Sequence, residues 1–174
     1  MEYVDFINLQ KSGRIRLLFP GWKKGEGVAF FSPHDDDALL GAGYLILGAI
    51  KSGGLPSVFV FCRGDAGYST LGEKKGIILR RKREAINAYG LLGVEKHDIQ
   101  FLDVPDFSLM AHLDRQPPWG KGVFDQLIAS LRQERISRIV FSSGHLEHWD
   151  HTAVFDAGVY TASQSQYHIL ADKI

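Results

Sequence analysis

The chain is predicted to be an α/β domain with a mainly parallel sheet, and two features of the sequence carry that expectation. Short apolar runs bounded by turn residues alternate with longer amphipathic stretches, the order of strand-helix-strand crossovers. A chain of 174 residues with 45% hydrophobic composition also has the size and apolar content of one domain, 1–174, around its own core.

Val28-Ala29-Phe30-Phe31 reads as the first strand, of the kind buried on both faces, entered through Gly25 and Gly27 and left at Ser32-Pro33. Ala38 to Ile50 follows as a helix, ended by Gly53-Gly54. Val58 to Phe61 is the second strand and leads into a glycine-bearing loop from Arg63 to about Gly72. A charged helix from about Lys75 to Leu92 keeps Ile78, Ala85, Ala88 and Leu92 near one face, with Gly93 as its stop. Ile99 to Leu102 is the third strand. Pro105, Pro117 and Pro118 then mark an irregular connection, and Val123 to about Gln133 returns to helix. Ile139 to Ser142 is the fourth strand and Thr152 to about Ala162 the last helix. Residues 1–25 stand apart as an extension, in which Arg14 to Phe19 is either an edge strand or a segment that docks on another subunit.

Charge narrows the partners. Lys plus Arg equals Asp plus Glu at 20 each, so no net field steers the chain to nucleic acid or to an anionic membrane, and a charged partner must be recognised locally. No apolar run reaches the length of about 18 residues that spans a bilayer. The start, Met1-Glu2-Tyr3-Val4-Asp5, lacks the layout of a signal peptide, which makes the cytoplasm the expected location. Cys62 is the only cysteine, so a metal would take His and carboxylate ligands.

The densest polar clusters lie directly after the first and fourth strands: Ser32-Pro33-His34-Asp35-Asp36-Asp37 and Gly144-His145-Leu146-Glu147-His148-Trp149-Asp150-His151. Functional groups in open parallel sheets gather beyond the carboxyl ends of strands, and in the common order 3-2-1-4 these two ends are neighbours. His34 with Asp37, and His148 with His151, have the three-residue spacing that brings two ligands to one ion at a helix start. If His34, Asp37 and His151 bind a metal, a fourth position stays open for water, and Asp36 remains as a general base. Three aspartates at a helix start are also ordinary partners of its N–H groups, and Asp35 keeps that role or is solvated. His145 and His97 read as surface histidines. Trp149 either packs under its loop or forms a substrate-facing wall.

Pro33-His34-Asp35-Asp36-Asp37 with Leu40-Gly41-Ala42-Gly43 resembles the Pro-His-Pro-Asp-Asp-Glu signature of the PIG-L/LmbE-like deacetylases, and His148-Trp149-Asp150-His151 resembles their His-Pro-Asp-His. Cys62-Arg63-Gly64-Asp65 is similar to the Thr-x-Gly-(Asp/Glu) loop of that family, and Arg81-Lys82-Arg83-Glu84 to its Arg-x-x-Glu helix. The resemblance implies a Rossmann-like three-layer fold and a zinc-dependent N-deacetylase of N-acetylglucosamine-type conjugates, with another divalent metal as the alternative cofactor. It implies zinc on His34, Asp37 and His151, Asp36 as base, His148 on the oxyanion or the departing amine, and Asp150 orienting it. Arg63 and Asp106 become substrate-binding candidates, and Arg81 either serves the motif or pairs with Glu84 along its helix. Asp35 stands where the family has Pro, Ala38 replaces the closing Glu, and family members usually continue well beyond the second signature. Residues that complete the pocket are then either absent or supplied by Met1 to Gly25 or by a second subunit in a homo-oligomer.

Two other functions compete. A shortened, non-catalytic member would bind sugar or a partner protein. A phosphoesterase would hold magnesium on oxygen ligands, whereas this set is rich in imidazole. Dinucleotide binding is disfavoured because Gly41 and Gly43 fall inside the predicted helix and not in the turn before it.

Overall fold

The computed structural model describes residues 1–5, 7–114, 121–144, 148–164 and 170–171. Among them the chain forms an antiparallel hairpin of β1 (Tyr3–Asp5) and β2 (Gln10–Ser12), then alternates strand and helix. The order is β3 (Gly27–Ser32), α1 (Asp37–Lys51), β4 (Leu55–Cys62), α2 (Ile77–Leu92), β5 (Ile99–Val104), α3 (Val123–Gln133), β6 (Ile136–Val140), α4 (Trp149–Gln164) and a two-residue β7 (Leu170–Ala171). Their sheet runs β5-β4-β3-β6-β7 with every pairing parallel, which is the predicted 3-2-1-4 order with one edge strand added.

Period-two alternation sends neighbouring residues of each strand to opposite layers. Val28, Phe30, Val58 and Val60 pack with Ile46 and Ala49 of α1 and with Ala85 and Tyr89 of α2. Ala29, Phe31, Phe59, Phe61 and Ile139 pack with Leu127 and Leu131 of α3 and with Val154 and Ala157 of α4. α2 stops where expected: Gly93 adopts φ +96°, a left-handed conformation that glycine takes without a Cβ penalty.

Two expectations are corrected. Arg14 to Phe19 is not an edge strand; Ile15–Leu17 forms a 3-10 helix. Its buried side chains, Ile15 and Phe19, are four residues apart, a helical spacing, and they pack within the chain's own core, with Phe19 stacked on Trp22 at 5.6 Å. The fourth strand begins at Ile136, three residues before its apolar run, because Arg138 lies inside it only 2% exposed. The guanidinium donates to Glu26 Oε2 at 2.6 Å and to the Pro20 carbonyl at 2.7 Å, and it lies over the Phe19 and Trp22 rings. A charge can be held at this depth only with such partners.

Candidate active site

β3 and β6 lie side by side, so the segments leaving their carboxyl ends meet above the sheet. Ser32 shapes the first. Its hydroxyl donates to the His34 carbonyl at 2.5 Å, accepts the Ala38 N–H at 2.9 Å and sits 3.3 Å from the Tyr89 hydroxyl of α2. One buried serine thus folds the turn and starts α1 where Asp36, at the cap position, makes no side-chain cap. The second segment is closed by the His148 carbonyl, which accepts the N–H groups of His151 (2.9 Å) and Thr152 (3.1 Å) in the first turn of α4.

The two turns bring His34, Asp37 and His151 together, with one donor atom from each lying within 4.8 Å of the others. Asp37 Oδ2 is 3.1 Å from His34 Nδ1, 3.2 Å from His151 Nε2 and accepts the His34 backbone N–H at 2.8 Å. Burial alone would lower the His34 pKa, but the hydrogen bond and charge of Asp37, with Asp106 and Asp150 behind, hold it above the ordinary imidazole value. Burial likewise acts to raise Asp37, and His34 and His151 overcome it, leaving the carboxyl below its usual range.

Asp150 is the buried anchor beside this group, 1% exposed. It accepts the backbone N–H of Phe107 at 2.7 Å and of Leu109 at 3.2 Å. Its Oδ2 lies 3.4 Å from His34 Nε2 and 3.5 Å from His148 Nδ1, and its own N–H points to His148 Nδ1 at 3.2 Å. With Nδ1 as acceptor, the neutral ring of His148 carries its proton on Nε2.

Asp36 is exposed, and its carboxylate makes no hydrogen bond or ion pair with a described residue. Asp35 pairs with Arg81 of α2 at 3.8 Å, so Arg81 ties α2 to the site turn as well as meeting Glu84 at 3.7 Å. Arg63 turns to Asp65 at 2.5 Å, and Asp106 accepts the N–H groups of Gly64 (2.9 Å) and Ala66 (2.8 Å). Both of these substrate-side candidates therefore brace the loop after β4. His145 lies outside the described residues, and His97 is exposed beside Asp98. Trp149 does not pack under its loop; it is 76% exposed.

Sequence reasoning passed over Ser32, Tyr89 and Phe107. The last is 68% exposed, lies 4.5 Å from the His148 ring and holds φ +63°, a region a bulky side chain rarely occupies. Nothing in the surrounding Val104-Pro105-Asp106-Phe107-Ser108-Leu109 marks that position as left-handed. Beside the site, a cavity of about 240 Å³ opens between α1 and β6, bounded by Asp37, Ala38, Gly41, Phe30, Val140 and Phe141.

The family model described as PIG-L: GlcNAc-PI de-N-acetylase matches residues 29–162. No curated protein matches the chain in sequence. Among solved structures, the fold is similar to N,N'-diacetylchitobiose deacetylase from Pyrococcus horikoshii, at TM-score 0.71 and 22% identity over 86% of this chain and 54% of that one. A deacetylase of the teicoplanin biosynthesis pathway, in complex with teicoplanin, gives TM-score 0.64 and 18% identity over 81% and 67%. The 4-carboxy-2-hydroxymuconate hydratase from Pseudomonas putida gives TM-score 0.66 and 20% identity over 86% and 61%. The chain spans about half the length of the chitobiose deacetylase. Identities this low establish a common fold, and the fold carries a hydratase as well as deacetylases, so the chemistry has to be argued from the site. The family match covers both polar turns and most of the chain between and around them: this protein belongs to the PIG-L de-N-acetylase family.

Proposed function

We propose that the protein is a zinc-dependent hydrolase that removes the N-acetyl group of an N-acetylglucosamine-type conjugate. The observation that carries this reading is the convergence of His34 and Asp37 with His151 from the far end of the chain. The donors fit the ion. Ligands about 2.0 Å from one tetrahedral zinc lie roughly 3.3 Å from each other, close to the 3.1 and 3.2 Å that separate Asp37 Oδ2 from the two imidazoles. Two nitrogens and one oxygen also suit zinc better than magnesium.

When bound, the ion supplies a Lewis acid that polarises the acyl carbonyl and makes water a better nucleophile near neutral pH. The remaining steps belong to the chain. Asp36, unencumbered at the start of α1, takes the proton of the water whose oxygen bonds to the acyl carbon. His148 presents Nε2–H to the oxygen that gains charge, and Asp150 fixes the tautomer that makes this donor available. The carbon–nitrogen bond then breaks, the proton held by Asp36 passes to the nitrogen, and acetate and free amine leave. The cavity beside Asp37 receives the apolar part of the substrate.

The test is amine release from a panel of N-acetylglucosamine conjugates by protein carrying one zinc per chain. Asp36→Asn should keep the zinc and lose at least a hundredfold in kcat, in line with the roughly 10²–10⁴-fold contributed by a positioned base. Stoichiometric zinc without amine release removes the substrate assignment, and an active Asp36→Asn removes Asp36 as base.

A further inference from the structure

A chain with no net charge carries one strongly polarised surface. Six of its 20 basic residues and one of its 20 acidic residues fall within residues 71–83, so this segment is +5 and the rest of the chain −5. The segment covers the end of the loop after β4 and the first two turns of α2. Arg80, Arg81 and Lys82 are engaged by Glu73, by Asp35 with Glu84, and by Asp103. Lys74, Lys75 and Arg83 are exposed and pair with no carboxylate among the described residues, and Lys74 leans on the Tyr68 ring at 5.6 Å.

Two leucines stand among these cations with their side chains in water: Leu71 is 81% exposed and Leu79 72%. Leu79 and Arg83 are one helical turn apart on α2, so they share a face. Exposed leucine is costly unless something apolar covers it, and cations are costly to crowd unless something anionic neutralises them.

We propose that residues 71–83 form a docking surface for an anionic lipid bilayer. The two properties together select this partner. Lys74, Lys75 and Arg83 meet headgroup phosphates while Leu71 and Leu79 enter the boundary between headgroups and acyl chains, the arrangement of an interfacial basic helix. A nucleic acid would use the cations and leave the leucines in water. The negative remainder of the chain is repelled by the same surface, which orients the protein with this segment toward the membrane. The surface stands on its own, whether or not the site is a deacetylase.

The test is co-sedimentation of the full chain with vesicles of phosphatidylcholine alone and of phosphatidylcholine with phosphatidylglycerol. Binding is expected only to the anionic vesicles and to weaken with salt. Each neutralised cation should weaken it about fivefold, and the triple variant Lys74→Gln, Lys75→Gln, Arg83→Gln on the order of a hundredfold. Leu71→Ser with Leu79→Ser should weaken it at least tenfold with the salt dependence unchanged, and thermal melts should show both variants folded. Equal binding to neutral vesicles, no binding by the wild type, or a leucine pair without effect overturns the proposal. So does tighter binding to duplex DNA than to the anionic vesicles.

Discussion

The backbone N–H of Phe107 donates to Asp150 Oδ2 at 2.7 Å, joining the connection after β5 to the first turn of α4. The bond holds Phe107 at φ +63° and sets the carboxylate that faces His34 and His148. Asp150→Ala strands the buried N–H of Leu109 and frees that of Phe107, at a cost of about 1–3 kcal/mol, read as a lower urea midpoint. Asp150→Asn keeps the backbone N–H that sets the His148 tautomer and should melt closer to wild type, yet still lose kcat, because the negative charge facing His34 and His148 is gone. Equal kcat in Asp150→Asn would show that the carboxylate only supports the loop.

Metal-free protein should show a stability contribution from the His34–Asp37 pair within a bounded pH window. A histidine whose pKa is raised on folding stabilises fully below its unfolded pKa, and the benefit disappears as pH rises through the folded value. A carboxyl whose pKa is lowered stabilises above its unfolded pKa, and the benefit disappears as pH falls through the folded value. In chelator, the Tm difference between wild type and Asp37→Asn should therefore be largest at mildly acidic pH and shrink to either side. A difference that is flat with pH would show the two groups to be uncoupled.

Cys62 is buried at the end of β4, and burial, reinforced by the negative charges of Asp150 and Asp106, pushes its thiol well above the ordinary value. A thiol that resists ionisation is a poor nucleophile. Iodoacetamide should leave the folded protein unmodified over hours at neutral pH and label one site promptly in guanidinium, as read by intact mass. Rapid labelling of the native form would place the thiol within reach of solvent.

Gly158 lets α4 lie against the sheet, because a Cβ there would come within 2.6–2.8 Å of three ring carbons of the buried Phe141. Gly158→Ala should cost about 1–3 kcal/mol through overpacking, and Gly158→Ala with Phe141→Leu should recover part of it. Chemical denaturation of the two variants checks this, and additive losses would place the damage elsewhere than at that contact.

Strand order and the meeting of the two polar turns were legible because both rest on local pattern: apolar runs at intervals, and polar residues directly after them. His34, Asp37 and His151 could be paired on paper once the 3-2-1-4 order was assumed. What escaped depends on long-range partners. Arg138 reads as a surface residue until Glu26, Pro20 and two rings are folded onto it, and that concealed the start of β6. The sequence offers Asp106 and Arg63 as substrate contacts, and it does not show that Asp106 also reaches back some forty residues to the N–H groups of Gly64 and Ala66. The left-handed Phe107 leaves no trace in composition at all.

Arg138 makes the opening residues answer for events more than a hundred positions later. Trimming the chain through Pro20 deprives a guanidinium in the middle layer of its carbonyl partner, replacing Glu26 deprives it of its counter-ion, and the strand it belongs to precedes the turn that presents His148 and His151. A deletion that reaches Pro20 would therefore be felt first in the placement of those two imidazoles, well before any loss of helix content.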